Sequence, residues 1–188
     1  MIAERPEPLK PKLLALSEEI VDLSDRLEAA EEGKDDRLTR QSVNRLRGIG
    51  DELVGYLSRA EGDDLAYAHF MMGSVCSLLG FWSQAESSYR QALQVWPDHV
   101  GLLNELFDAL AAQRKYEEAE KVIRQSIRHG GETPLILRNL AAVLVHLKRL
   151  NEARLVMITC TARFPGDTES REFLRQLEGA GQPPNPTP

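Results

Sequence analysis

The chain has 188 residues, 42% of them hydrophobic, and a formal net charge of -6, enough for one continuous helical core with room for a loosely attached subdomain. No stretch approaches the run of about 20 apolar residues that inserts into a membrane. The acidic balance argues against a nucleic-acid partner, because phosphate binding needs a face of Lys and Arg.

The excess charge sits at one end: residues 1–65 hold 16 acidic and 10 basic side chains, whereas residues 66–188 hold 13 of each. The opening Met1-Ile2-Ala3-Glu4-Arg5-Pro6-Glu7-Pro8 lacks the apolar segment of a signal peptide, so a cytoplasmic location is expected. Leu9, Leu13, Leu16, Ile20, Leu23, Leu27 and Ala30 then alternate spacings of four and three. This heptad-like stripe predicts a helix of roughly 20 residues. Glu31-Glu32-Gly33-Lys34-Asp35-Asp36 reads as a turn. A second helix carries Leu46, Ile49, Leu53, Tyr56 and Ala60 on one side and ends before Glu61-Gly62-Asp63-Asp64. Residues 1–64 are therefore expected to form a helical hairpin. Its stripe of Leu13, Leu16, Ile20, Leu23 and Leu27 has two uses: packing inside the chain, or pairing two chains into a homodimer.

Beyond the hairpin the sequence repeats with a period of 34. His69/Met72/Gly73, Leu103/Leu106/Phe107 and Leu137/Leu140/Ala141 share one register, and Ala85, Ala119 and Ala153 share another. Small residues at these slots let two antiparallel helices approach closely, and Phe107 needs extra room. Pro97 and Pro165 stop the second helix of their copies, while Gly130-Gly131 ends the middle copy through a left-handed residue. A unit of this length cannot cover its own apolar face, so copies must stack. Stepping back 34 residues from Ala85, Tyr89 and Pro97 gives Asp51, Gly55 and Asp63, so the hairpin does not continue the register.

After the third copy, Asp167 stands at a helix N-cap position and Phe173, Leu174 and Leu177 mark an apolar face, which predicts a capping helix. Domain boundaries are set at 65 and 178 for the repeats with this cap. Residues 179–188, rich in proline, are expected to be disordered. Cys76 and Cys160 fall on apolar helix faces, where reduced, buried thiols are expected.

The copies resemble the tetratricopeptide repeat. His69-x-x-Met72-Gly73-x-x-Cys76, Ala85-x-x-x-Tyr89 and Pro97 follow its spacing, and the resemblance covers residues 66–165. It implies an all-α fold: an N-terminal helical hairpin, a three-repeat α-solenoid and a C-terminal capping helix. In that family the first helix of each copy lines a concave groove. The resemblance thus implies a partner-binding surface of Tyr67, Phe70, Met71, Ser74 and Leu78, then Asn104, Glu105, Asp108 and Ala112, then Arg138, Asn139, Ala142 and His146. One end is aromatic and apolar and the other polar, which suits an extended or helical peptide. Some members clamp the acidic C-terminus of heat-shock chaperones with Lys, Asn and Arg. Phe70, Ser74, Glu105, Leu135 and Asn139 occupy those positions here, and Glu105 would repel an acidic terminus.

No catalytic or cofactor motif is present. His69, His99, His129 and His146 lack metal-ligand spacing, and there is no Cys-x-x-Cys, Gly-Lys-Ser/Thr loop or Gly-x-Ser-x-Gly elbow. The expected function is a non-catalytic adaptor or assembly factor without cofactor or metal, holding a protein or peptide partner. Similarity in architecture to the repeat chaperones of bacterial secretion systems, or self-assembly through the hairpin, are the alternatives.

Overall fold

In the computed structural model, residues 11–179 are described. The N-terminal segment through residue 10, including Leu9, and residues 180–188 of the proline-rich tail lie outside that range. Every element among the described residues is helical: α1 Pro11–Gly33, α2 Asp36–Leu57, α3 Gly62–Leu78, α4 Trp82–Val95, α5 Val100–Ala112, α6 Tyr116–Arg128, α7 Pro134–His146, α8 Leu150–Arg163 and α9 Thr168–Gly179. The described residues divide between 109 and 110 into two compact units.

In the first unit, α1 packs on α2 and α3, α2 on α3, and α3 on α4. The turn between α1 and α2 is tighter than the six-residue turn expected, because Glu31, Glu32 and Gly33 remain helical. Lys34 takes a left-handed conformation with φ 53°, and the Asp35 N–H donates to the Ala30 carbonyl at 2.9 Å. The Asp35 carboxylate then accepts from the N–H groups of Arg37 and Leu38, each at 3.0 Å, capping α2.

The repeats turn by the same rule. Gly80, Arg114 and Lys148 stand 34 residues apart with φ of 76°, 60° and 62°. In each turn the following N–H reaches back five residues: Phe81 to Cys76 at 2.8 Å, Lys115 to Leu110 at 3.0 Å and Arg149 to Leu144 at 2.9 Å. Lys34 precedes Gly80 by 46 rather than 34. The difference is length: α2 has 22 residues against 14 in α4, and α3 has 17 against 13 in α5. Longer helices, rather than a different turn, move the hairpin out of the 34-residue register.

A left-handed residue with a Cβ is strained where glycine is not. Lys148→Gly is therefore expected to stabilise the chain by about 0.5–1 kcal/mol, seen as a raised urea midpoint with unchanged slope. Gly80→Ala should move the midpoint the other way.

The hairpin stripe is used inside the chain. Leu13, Leu16, Ile20 and Leu23 are buried with Leu46, Ile49 and Leu53 of α2 and with Ala68, Met71 and Val75 of α3, and Leu27 packs at the margin. Arg45 of α2 ties the pair together, holding both carboxylate oxygens of Glu19 at 2.5 and 2.6 Å and Glu52 at 3.0 Å. Gly73 lets α3 and α4 meet: a Cβ there would lie 2.3 Å from the ring of Tyr89. Tyr89 is fully buried, and its hydroxyl pairs with Ser77 and donates to Glu105, both at 3.1 Å. The same slot holds Ile123 in the middle copy, where buried Phe107 replaces the glycine, and Met157 in the third, beside the slot of Ala141.

In the second unit α6 packs on α7, α7 on α8 and α8 on α9. α6 ends at Arg128, and Gly130 just beyond it is left-handed with φ 97°, as the glycine pair requires. α7 begins with a cap the repeat pattern does not reveal: Thr133 Oγ1 accepts from the Ile136 N–H at 3.3 Å, with Pro134 as first helical residue. Asp167 caps α9, accepting from the Ser170 N–H at 2.8 Å. Cys76 and Cys160 are buried free thiols.

Candidate functional site

Two adjoining cavities lie in the first unit and share Phe70. One, of about 450 Å³, is lined by Tyr67, Phe70, Trp96, Pro97, Asp98, His99 and Leu102. The other, of about 300 Å³, is lined by Ser17, Ile20, Val21, Ser24 and Asp25 of α1, by Phe70, Met71, Ser74, Ser77 and Leu78 of α3, and by Glu105 of α5. Together they follow α3, the first walled by the segment from Trp96 to Leu102 and the second by α1 and by Glu105 of α5.

Successive side chains on α3 at spacings of three and four share one face, which is why Tyr67, Phe70, Ser74 and Leu78 line up. Met71 belongs to the same row but turns inward: it is 2% exposed and sits in the core with α1 and α2. Tyr67 and Leu78 lie partly against that core. The hairpin therefore covers part of the surface assigned to a partner while supplying a new wall of its own. Ser74 Oγ donates to the Phe70 carbonyl at 3.2 Å, and its residue is half-buried.

On α5, Asn104 is half-buried and Asp108 and Ala112 are exposed; none of them lines either cavity. Surrounding protein crowds the Asp108 carboxyl even though much of the side chain is open to solvent. That crowding, and next the charge of Glu105, push it up to about 6. At neutral pH it still carries its negative charge.

The residues expected from the third copy lie in the second unit. Asn139 and Ala142 are half-buried on α7. His146 is exposed and stacks on Tyr116, ring centroids 4.3 Å apart and planes 2° from parallel. Arg138, placed by the resemblance on the partner-binding surface, is engaged within the chain: it holds Asp167 at 2.6 Å and Glu169 at 2.6 Å and so fastens α9. Bonds from Ser170 and then Arg138 hold the Asp167 carboxyl below its ordinary range. A depressed carboxyl contributes stability above its unfolded pKa and loses it as pH falls through the folded value. Arg138→Ala is accordingly expected to raise amide exchange in α9 at pH 7, with the difference from wild type vanishing at strongly acid pH.

Reasoning from sequence missed the α1 wall and the loop from Trp96 to His99. Pro97 was visible only as a helix stop, although Trp96 before it and His99 two residues after it were signals for an aromatic wall. The Trp96 indole N–H donates to Asp63 at 2.8 Å, joining the end of α4 to the start of α3. His99 Nδ1 accepts from the Leu102 N–H at 3.1 Å and so caps α5. Among the described residues lining the two cavities none is Lys or Arg. No group of three or more His, Cys, Asp or Glu is placed to hold a metal ion among the described residues, and no described helix is long and apolar enough to cross a membrane.

No family model matches the sequence, and no curated protein matches it. Solved structures do match. MamA from Desulfovibrio magneticus aligns with a TM-score of 0.67 at 14% identity, over 92% of this chain and 87% of that one. TTC0263, a tetratricopeptide-repeat protein of Thermus thermophilus, aligns at 0.56 and 20% identity, over 88% and 93%. The first repeat domain of Spaghetti (RPAP3), bound to the HSP90 peptide SRMEEVD, aligns at 0.57 and 18% identity, over 63% and 94%. At these identities the likeness concerns architecture: the chain has the all-α tetratricopeptide-repeat fold, with a helical hairpin before three repeats and a capping helix after them.

Proposed function

We propose that the chain is a non-catalytic adaptor or assembly factor that holds a segment of a partner protein along α3, between α1 and α5. The observation that carries this reading is the pair of cavities joined at Phe70, one aromatic and one lined by serines and carboxylates. Such a surface offers an anchor for a large side chain and hydrogen bonds for a backbone beside it. The likeness to a domain bound to a peptide supports the class of ligand, but an acidic peptide is a poor match here. Glu105 and Asp25 line the second cavity and Asp98 lines the first, so an acidic segment would meet like charge.

Phe70 touches both cavities and is not part of the shared hairpin core, so it is the residue to change. Phe70→Glu, shown to be folded by circular dichroism, is expected to lose at least about tenfold in affinity for the protein that wild type retains from lysate of the source cells. Equal retention by both would place the binding surface elsewhere and contradict this reading.

A further inference from the structure

We propose that the 450 Å³ cavity receives a cationic side chain, Arg or Lys, of the partner segment; this deepens the reading given above and rests on it. Tyr67 stands 6.2 Å from Phe70 with the planes tilted 42°, and 6.4 Å from Trp96 with the planes tilted 58°. The three rings are tilted against one another rather than stacked, and all three line the cavity. Trp96 in turn lies 5.8 Å from His99, stacked at 30°. Ring faces carry the negative part of the aromatic quadrupole, so a cavity lined by three such rings can attract a positive charge.

The wall is held in place from behind. Asp63 fixes the indole through its N–H, and Phe70 rests 6.3 Å from the buried ring of Tyr89. His99 Nδ1 accepts a backbone hydrogen bond from Leu102, which fixes the imidazole at the start of α5. Asp98 lines the same cavity, and Glu105 and Asp25 line the second cavity beyond Phe70 with further negative charge. An aliphatic side chain would fill the space equally well by area, but it would use neither the ring faces nor the carboxylates. A carboxylate would meet both as repulsion. The match is thus a segment with a cation at the aromatic end, its following residues passing Phe70 toward Ser74 and Ser77.

The test is an NMR titration of the full-length, nitrogen-15-labelled chain with three capped pentapeptides: Ala-Leu-Arg-Leu-Ala, the same with citrulline for Arg, and the same with Glu. Citrulline keeps the shape of Arg and removes the charge. The chain has two tryptophans, so the Trp96 indole N–H reports on the cavity and that of Trp82 serves as control. The Arg peptide is expected to shift the Trp96 signal, the citrulline peptide to bind about tenfold more weakly, and the Glu peptide to leave it unmoved. Tyr67→Leu, which keeps apolar bulk without a ring face, should weaken the Arg peptide toward the citrulline value. Equal binding of the Arg and citrulline peptides, or preference for Glu, overturns the proposal. Shifts at Ser74, Ser77 and Glu105 with Trp96 unmoved overturn it while leaving the groove reading intact. No shift anywhere up to about 10 mM peptide overturns both.

Discussion

Replacing Gly73 with alanine is expected to destabilise the first unit by about 1–3 kcal/mol or more, the scale of overpacking a close-packed core. The added Cβ would lie 2.3, 2.5 and 2.9 Å from three atoms of the Tyr89 ring. These are not the ends of a flexible chain. Tyr89 is fully buried, and its hydroxyl is fixed by Ser77 and Glu105, so the ring has no free rotamer into which to retreat. The third copy carries Ala141 and Met157 in the corresponding slots. Gly73→Ala combined with Tyr89→Met should therefore be less destabilised than the two single changes added together, with a coupling of about 1 kcal/mol, read by urea denaturation of all four proteins. Strict additivity would show that the two positions do not share the contact described.

The second large effect is expected at the hairpin stripe. Leu16 is 4% exposed and packed among α1, α2 and α3, so Leu16→Ala should lower stability by about 2–5 kcal/mol. Because the stripe packs inside one chain, wild type and variant are each expected to show a Tm independent of protein concentration. A Tm that rises with concentration would mean that a second chain contributes to this core. The variant should also weaken partner binding, since Met71 and Val75 share the core while Phe70 and Ser74 of the same helix form the site.

The 34-residue period made the helical pairs legible because it reports where helices must come close, and Gly73, Ala85, Ala119, Ala141 and Ala153 are all buried there. It could not show what covers a given face. Met71 and Phe70 are neighbours of similar character, and a rotation of about 100° between successive helical residues packs Met71 mainly into the core, although it also lines the second cavity, and sets Phe70 on both cavities. The stripe of Leu13, Leu16, Ile20 and Leu23 reads the same whether its cover is another chain or its own α2 and α3. Arg138 looked free to bind a peptide because its partner Asp167 lies 29 residues away, and ion pairs across helices leave no local pattern. The α1 wall was hidden for a different reason: Ser17, Val21 and Ser24 sit beside the apolar stripe and become significant only once α3 is placed next to it.

The most direct measurement is site-specific photo-crosslinking from a benzophenone side chain placed in full-length protein at Ser74, in the groove, and separately at Leu155, an exposed residue on the outer side of α8 that is 64% accessible. Mass spectrometry of the products would identify the partner peptide joined to each site. Crosslinks from Ser74 to one defined segment that carries an Arg or Lys, with none from Leu155, are the expected result. Crosslinks from Leu155 with none from Ser74 would contradict the assignment of the face along α3 as the partner-binding surface.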